Sequence, residues 1–292
     1  PLAGSETLTY RLLSETVVGS TMLTETGPAE ILGKKAFYRM YNAVLAAGTR
    51  AEGMQVQLLL PESASEQQIK NIMGQLGEYG AAYEVDIGRV HTEISELVKA
   101  PLLTLSGFGK QDVTETGSSR FCPGQQIIMT KWAGAAELAY VNKRSLMKYF
   151  PAVYVDEAVE YLWEKTAGES LLSIEKEIKT AWDMGAGAFH NVTKNGVFGA
   201  LWEMAEMSHA GLEVNFAAIP VRQESIEICE QYGVNLYETD SLGSVLIGAE
   251  HGEDLVRRLR EEGIPAAIIG RVTDGNDRTI CRGEETRFLT PP

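Results

Sequence analysis

The sequence predicts an α+β protein of two domains. Three observations lead there. The 292 residues, 44% apolar and 23% charged, are enough for two ordinary cores. The apolar spacing switches repeatedly between the helical and the strand period. A polar stretch holding Gly and Pro, QDVTETGSSRFCPGQQ at residues 111–126, divides the chain, so domains are expected at 1–115 and 120–292.

In the first half, Ile31, Leu32, Ala36, Tyr41, Val44 and Leu45 keep helical spacing as far as Gly48, a natural helix stop. MQVQLLLP alternates, then runs apolar, and reads as a strand ended by Pro61. SASEQQIKNIMGQLGEYGA opens on a serine cap and places Ile69, Ile72, Met73 and Leu76 on one face of a second helix. YEVDIGRVHTEI and PLLTLSGFG are further strands. The second half begins with a strand in QIIMTKWAG, followed by helices near 135–149 and in VDEAVEYLWEKT. SLLSIEKEIKTAWDMG predicts a helix that stops at glycine. After it, FHNVTKNGVFGALWEM reads as a polar turn emptying into an apolar helix from about Val197. Strands in GLEVNFAAIP, SVLIGAE and IPAAIIGRVTD then alternate with helices in RQESIEICEQYGV and GEDLVRRLREEG, the pattern of a layered sheet-and-helix domain.

The formal net charge of −14 repels phosphate backbones and anionic lipid, and no compact basic stripe offsets it, so nucleic acid is not expected as a partner. No stretch reaches about 18 uninterrupted apolar residues, and the amino terminus lacks a basic region followed by an apolar one; a cytoplasmic, membrane-free protein is expected. Cys122, Cys229 and Cys281 are dispersed and odd in number, as reduced thiols would be, and His91, His190, His209 and His251 form no ligand pair. No built-in metal site is expected.

Three stretches could carry chemistry. The turn at 190–196 presents free N–H groups at a helix start, an anion site in principle, although Asn191 and Asn195 serve equally well as turn or cap residues. His91 and Glu93 sit two apart on a strand and share a face, which suits an acid–base pair or a solvated sheet edge. Ser241 and Ser244 flank Gly243 without a nucleophile elbow, so turn chemistry is their expected use.

Taken together, HTEI, PGQQIIMTKWAG, HNVTKNGVFGALWEMAEMS, IPVRQESIEICEQYGVN, SLGSVLIGAEHG and GIPAAIIGRVTDGNDR follow the order and spacing of the AIR-synthetase-related, PurM-like superfamily. The chain resembles this group over nearly its whole length, and most of all its hydrogenase-maturation-like branch; aminoimidazole ribonucleotide synthetase, thiamine-monophosphate kinase and selenophosphate synthetase are other members. The resemblance implies a homodimer whose N-terminal domains share a sheet or barrel, ATP in a nearby cleft with magnesium on aspartates, and activation of an oxygen by phosphoryl transfer. It places Asn42, His91, Glu93, Lys131, His190, Asn191, Asn195 and Gly196 on the nucleotide side.

The acidic ligands of that pattern are largely missing. No Asp precedes the first helix, Ala43 follows Asn42 where the family has Asp, and Gln125 and Gln126 replace an Asp pair after Pro123 and Gly124. Asn191 replaces the Asp after His190, and Asn195 the first of two glycines. The sequence closes on Pro291 and Pro292 without the maturation factor's cysteine tail, which speaks against maturation proper. The expectation is therefore an eroded Mg-ATP site, with weak binding of nucleotide or a small anion, or support of an intact paralogue or maturation partner. The alternative is an active ATP-dependent enzyme acting on a small-molecule or carboxamide oxygen, with Glu25, Glu30, Glu93 and His91 in place of the lost aspartates.

Overall fold

The computed structural model describes residues 7–12, 16–112, 120–135, 146–153, 155 and 171–292. These form two compact units, one within residues 7–112 and the other within residues 120–292. Each combines helices with one sheet. The helices expected near 135–149 and 155–166 fall largely outside the described residues.

The N-terminal unit runs β1 (Thr7–Leu12), β2 (Thr16–Thr26), α1 (Leu32–Ala46), β3 (Arg50–Leu60), α2 (Glu66–Ala82), β4 (Asp86–Ile94) and β5 (Leu102–Asp112). Its sheet order is β1-β2-β5-β3-β4. Only the β3–β4 pair is parallel, because α2 supplies the crossover that parallel neighbours need. The β1–β2 hairpin was not among the expected elements. Its threonines count as polar in an apolar tally, yet their β-branched side chains favour extended backbone.

Helix α1 is buried almost all round, with Leu32, Phe37, Tyr38, Met40 and Val44 fully covered. It has no side-chain cap of its own. Gln75 of α2 does that work, donating to the carbonyls of Ala29 and Glu30 and accepting the Lys34 N–H. The two helices are also joined by rings: Phe37 meets Tyr79 of α2 at 5.8 Å, and Tyr41 meets Tyr83, just past its end, at 4.7 Å. Ser65 and Gln68 close a reciprocal capping box on α2. Against the sheet, α1 comes so near β5 that a Cβ on Gly107 would stand 2.2 Å from Met40 Sδ.

The helices cover one face of this sheet. On the other, the register aligns Thr24, Thr104, Gln57 and His91 in one row and Met22, Ser106, Gln55 and Arg89 in the next. All of these side chains but Thr24 line a groove of about 400 Å³. Met22 is 71% exposed, and almost every residue of edge strand β4 is open to solvent.

The C-terminal unit contains β6 (Gln126–Thr130), α3 (Glu175–Asp183), β7 (Ala188–Asn191), α4 (Gly196–Ser208), β8 (Gly211–Asn215), α5 (Gln223–Tyr232), β9 (Val245–Ala249), α6 (Gly252–Glu261), β10 (Ala266–Thr273), β11 (Arg278–Arg282) and β12 (Glu285–Phe288). The sheet order is β12-β11-β8-β10-β6-β9-β7, antiparallel except for β8–β11. Val197, Leu201, Met204 and Ala205 of α4 enter the core with Ile127, Met129, Val214 and Leu246. Among the described residues no helix is long and apolar enough to cross a membrane.

Gly107→Ala is expected to lower the unfolding free energy by about 1–3 kcal/mol through overpacking, measured by urea denaturation. Paired with Met40→Ala, it should cost less than the two single changes added together.

Candidate functional site

The candidate site in the C-terminal unit is built where edge strand β7 turns into α4. Alternation along β7 sends neighbouring side chains to opposite faces. His190 goes to the α4 side, where its Nε2 lies 3.1 Å from the Glu203 carboxylate. Phe189 goes the other way and packs on Trp182 of α3, and Asn191 shares that direction. The two members of the sequence motif are therefore separated by the strand that carries them.

Asn195 occupies the cap position of α4 but makes no capping hydrogen bond. Its Nδ2 instead donates to the second carboxylate oxygen of Glu203 at 3.4 Å. Gly199, one turn along, leaves room for this reach, since a Cβ there would stand 2.2 Å from the Asn195 Cβ. Gly196 has φ +63°, and any side chain on it would meet the Tyr237 carbonyl at 2.4 Å. Both conformation and space demand glycine here. The result is a partly buried imidazole braced by a carboxylate, beside a helix start with no side-chain cap. An imidazole so held can take up or deliver a proton.

Glu203 is the member that sequence reasoning missed. Its signal was present: it lies two helical turns beyond Asn195 on the same face of α4, but amid apolar residues that draw attention to packing.

Both amide atoms of Asn191 are buried without a hydrogen-bond partner. An aspartate there would bring a charge; the amide brings only a desolvation cost of about 1–3 kcal/mol.

Lys131 sits on the adjoining part of the sheet, where β6 ends in a left-handed turn, φ +56°. Its ammonium donates to the carbonyls of Leu171 and Ser173 and pairs with Glu177 at 2.7 Å. Burial holds its pKa below the ordinary lysine value, against the pull of Glu177. The three ammonium hydrogens are thus matched by three internal acceptors, and the lysine acts as a brace. Gln125 and Gln126 are likewise engaged, accepting the N–H groups of Cys122 and of Gly252 at the start of α6.

In the N-terminal unit Asn42 is fully buried in α1. His91 and Glu93 lie on the opposite, open face of the sheet, 3.5 Å apart and more than half exposed. The sheet keeps them from Asn42 within the unit. Glu25, a candidate substitute ligand, points inward and is 2% exposed, with Arg39 Nε at 2.6 Å and Lys35 Nζ at 3.4 Å. Glu30 is exposed.

Magnesium requires several converging hard oxygen ligands. Among the described residues no three His, Cys, Asp or Glu side chains come together.

Two substitutions test these assignments. Lys131→Met leaves Glu177 buried without its cation and is expected to cost about 3–5 kcal/mol in urea unfolding, with Glu177→Leu in the same chain restoring most of it. Asn191→Leu removes two unmatched polar atoms and is expected to be neutral or to stabilise by about 1 kcal/mol in the same measurement.

Residues 126–281 match the family model described as AIR synthase related protein, C-terminal domain. A hydrogenase expression/formation protein of Methanocaldococcus jannaschii is 25% identical over 268 residues, covering 88% of this chain and 75% of the relative. Among solved structures, the HypE–HypF complex superposes with a TM-score of 0.75 at 20% identity, covering 97% of this chain and 93% of the other. The hydrogenase maturation protein HypE in complex with ATP gives 0.77 at 18% identity, covering 94% and 85%. At these identities the structures establish the fold, a two-domain mixture of helix and sheet shared with HypE. With more than half its length matched by the family model, and with that fold, the chain belongs to the AIR synthase related family.

Proposed function

We propose that this protein is a divergent, hydrogenase-maturation-like member of its family with an eroded Mg-ATP site. It binds a nucleotide or small anion weakly, without a strong need for magnesium, and supports a partner more than it catalyses phosphoryl transfer. The observation that carries this reading is the state of the carboxylates. Glu25 is committed to Arg39 and Lys35, and among the described residues no three His, Cys, Asp or Glu side chains are grouped to hold a metal ion. A triphosphate with divalent counter-ions would find no negative protein ligands to complete its shell.

Binding of an anion is assigned to the C-terminal unit, at the uncapped start of α4 with Gly196, Asn195 and His190. The helix dipole there favours negative charge, although the Gly196 N–H is itself given to the Thr193 carbonyl at 2.9 Å. The Glu203 carboxylate beside His190 opposes an anion there, which keeps affinity low. A homodimer through the open face of the N-terminal sheet is part of the proposal, supported by exposed Met22 and Phe108 on that face. A relative has been solved as a HypE–HypF complex, which supports a maturation partner as the kind of protein to seek.

Isothermal titration with ATP, with and without Mg²⁺, tests the reading. The expected result is a dissociation constant weaker than about 100 μM, changed less than about threefold by magnesium. His190→Ala should shift it further. Affinity that rises a hundredfold with magnesium would establish an intact metal site and an active ATP-dependent enzyme in place of this proposal.

A further inference from the structure

A second cleft in the C-terminal unit, of about 270 Å³, borders the start of α4, where Gly196 packs on Tyr237 and Glu238. Its walls include Phe198 from α4, Phe216, Glu238, Arg282 from β11 and Phe288 from β12. Three features suit it to a ligand.

The aromatic wall is set before anything binds. Tyr237 stacks on Phe198 at 5.3 Å with the rings 12° apart, and its other contact is Phe216 at 4.6 Å. The short turns carrying Phe216 and Tyr237 are fixed in the same way, Asn215 accepting the Ala217 N–H and Asn235 the Tyr237 N–H, each at 3.1 Å. At the mouth Phe288 leaves 71% of its surface in water, an unusual exposure for a phenyl ring beside other aromatics.

The charges are unsatisfied and of opposite sign. Arg282 lies over the Phe216 ring at 5.4 Å and has no ion-pair partner among the described residues. Glu238 also has no side-chain partner there, whereas Arg287 and Glu285 at the rim are paired with one another at 3.3 Å.

The size is limiting. A cleft this small lies below the ~300–1,000 Å³ of drug-sized pockets and takes one ring or two fused rings.

The geometry points to a binding site for a small planar aromatic compound that carries an acidic group for Arg282 and an amino donor for Glu238. The ring is taken up by the Phe198, Phe216 and Phe288 side chains, and the two charges fix its direction. A purely apolar ligand would leave both charges unanswered, and a bare anion would leave the aromatic wall unused.

The test is a ligand-observed NMR titration of the whole chain with 4-aminobenzoate as the probe, alongside benzoate and aniline. Saturable binding of 4-aminobenzoate is expected, with both simpler compounds weaker by about tenfold, the worth of one charge-assisted hydrogen bond. Arg282→Gln, at an exposed position that leaves folding intact, should weaken the probe by about tenfold. Phe216→Ala should do so at least as strongly, with the unfolding midpoint recorded to confirm that the chain is folded. Absence of saturation up to about 10 mM, or an affinity indifferent to Arg282→Gln, overturns the proposal.

Discussion

A carboxylate already facing a guanidinium at bonding distance has spent the charge a metal ion would need. This constraint governs how the N-terminal unit can be used. Glu25 lies on the helix-facing side of β2, and Arg39 and Lys35 of α1 enclose it. Removing a partner from such a buried pair is costly, while replacing the whole pair by apolar groups need not be. The pair therefore fixes α1 on the sheet, and a glutamate that counts as acidic in the sequence is neutralised in the fold. Lys131 and Glu177 repeat the arrangement in the other unit, with the signs of donor and acceptor exchanged between strand and helix.

Strand geometry governs the C-terminal site in a comparable way. His190 and Asn191 are adjacent in sequence, but one contacts α4 and the other shares the α3 side of the sheet. What stands around His190 is set by helical spacing instead, through Asn195, Gly199 and Glu203 on one face of α4. The site is thus a property of the junction between β7 and α4.

Much of the framework was legible because it rests on local periodicity. The apolar face of α1, the serine cap of α2 and the glycine after α5 are signals within a few residues of what they determine. The C-terminal pattern of strand and helix follows from the same reasoning, and the likeness of the motifs to one family carried the fold. Other parts were not legible. β7 is four residues long and was read as a turn, and β11 and β12 are too polar to stand out. The site suffered most. The partners of Lys131 come from distant segments, so its brace-like role leaves no trace in local sequence. Glu25 looked available because nothing in the order of residues reveals that α1 folds Arg39 back onto it. His91 and Glu93 do share a face, as alternation requires, but which face stays open depends on where the helices pack.

The order of strands in the N-terminal sheet also bears on how this chain leaves the ribosome. β5 lies between β2 and β3, so the β1–β2 hairpin gains its neighbour only after the helices and β4 have been made. Until then a threonine-rich ribbon must wait with one edge unfilled, and a pair of strands by itself is barely stable in water. Completion of that half of the molecule is a late, non-local event, and the nascent hairpin is the segment with most to gain from a chaperone.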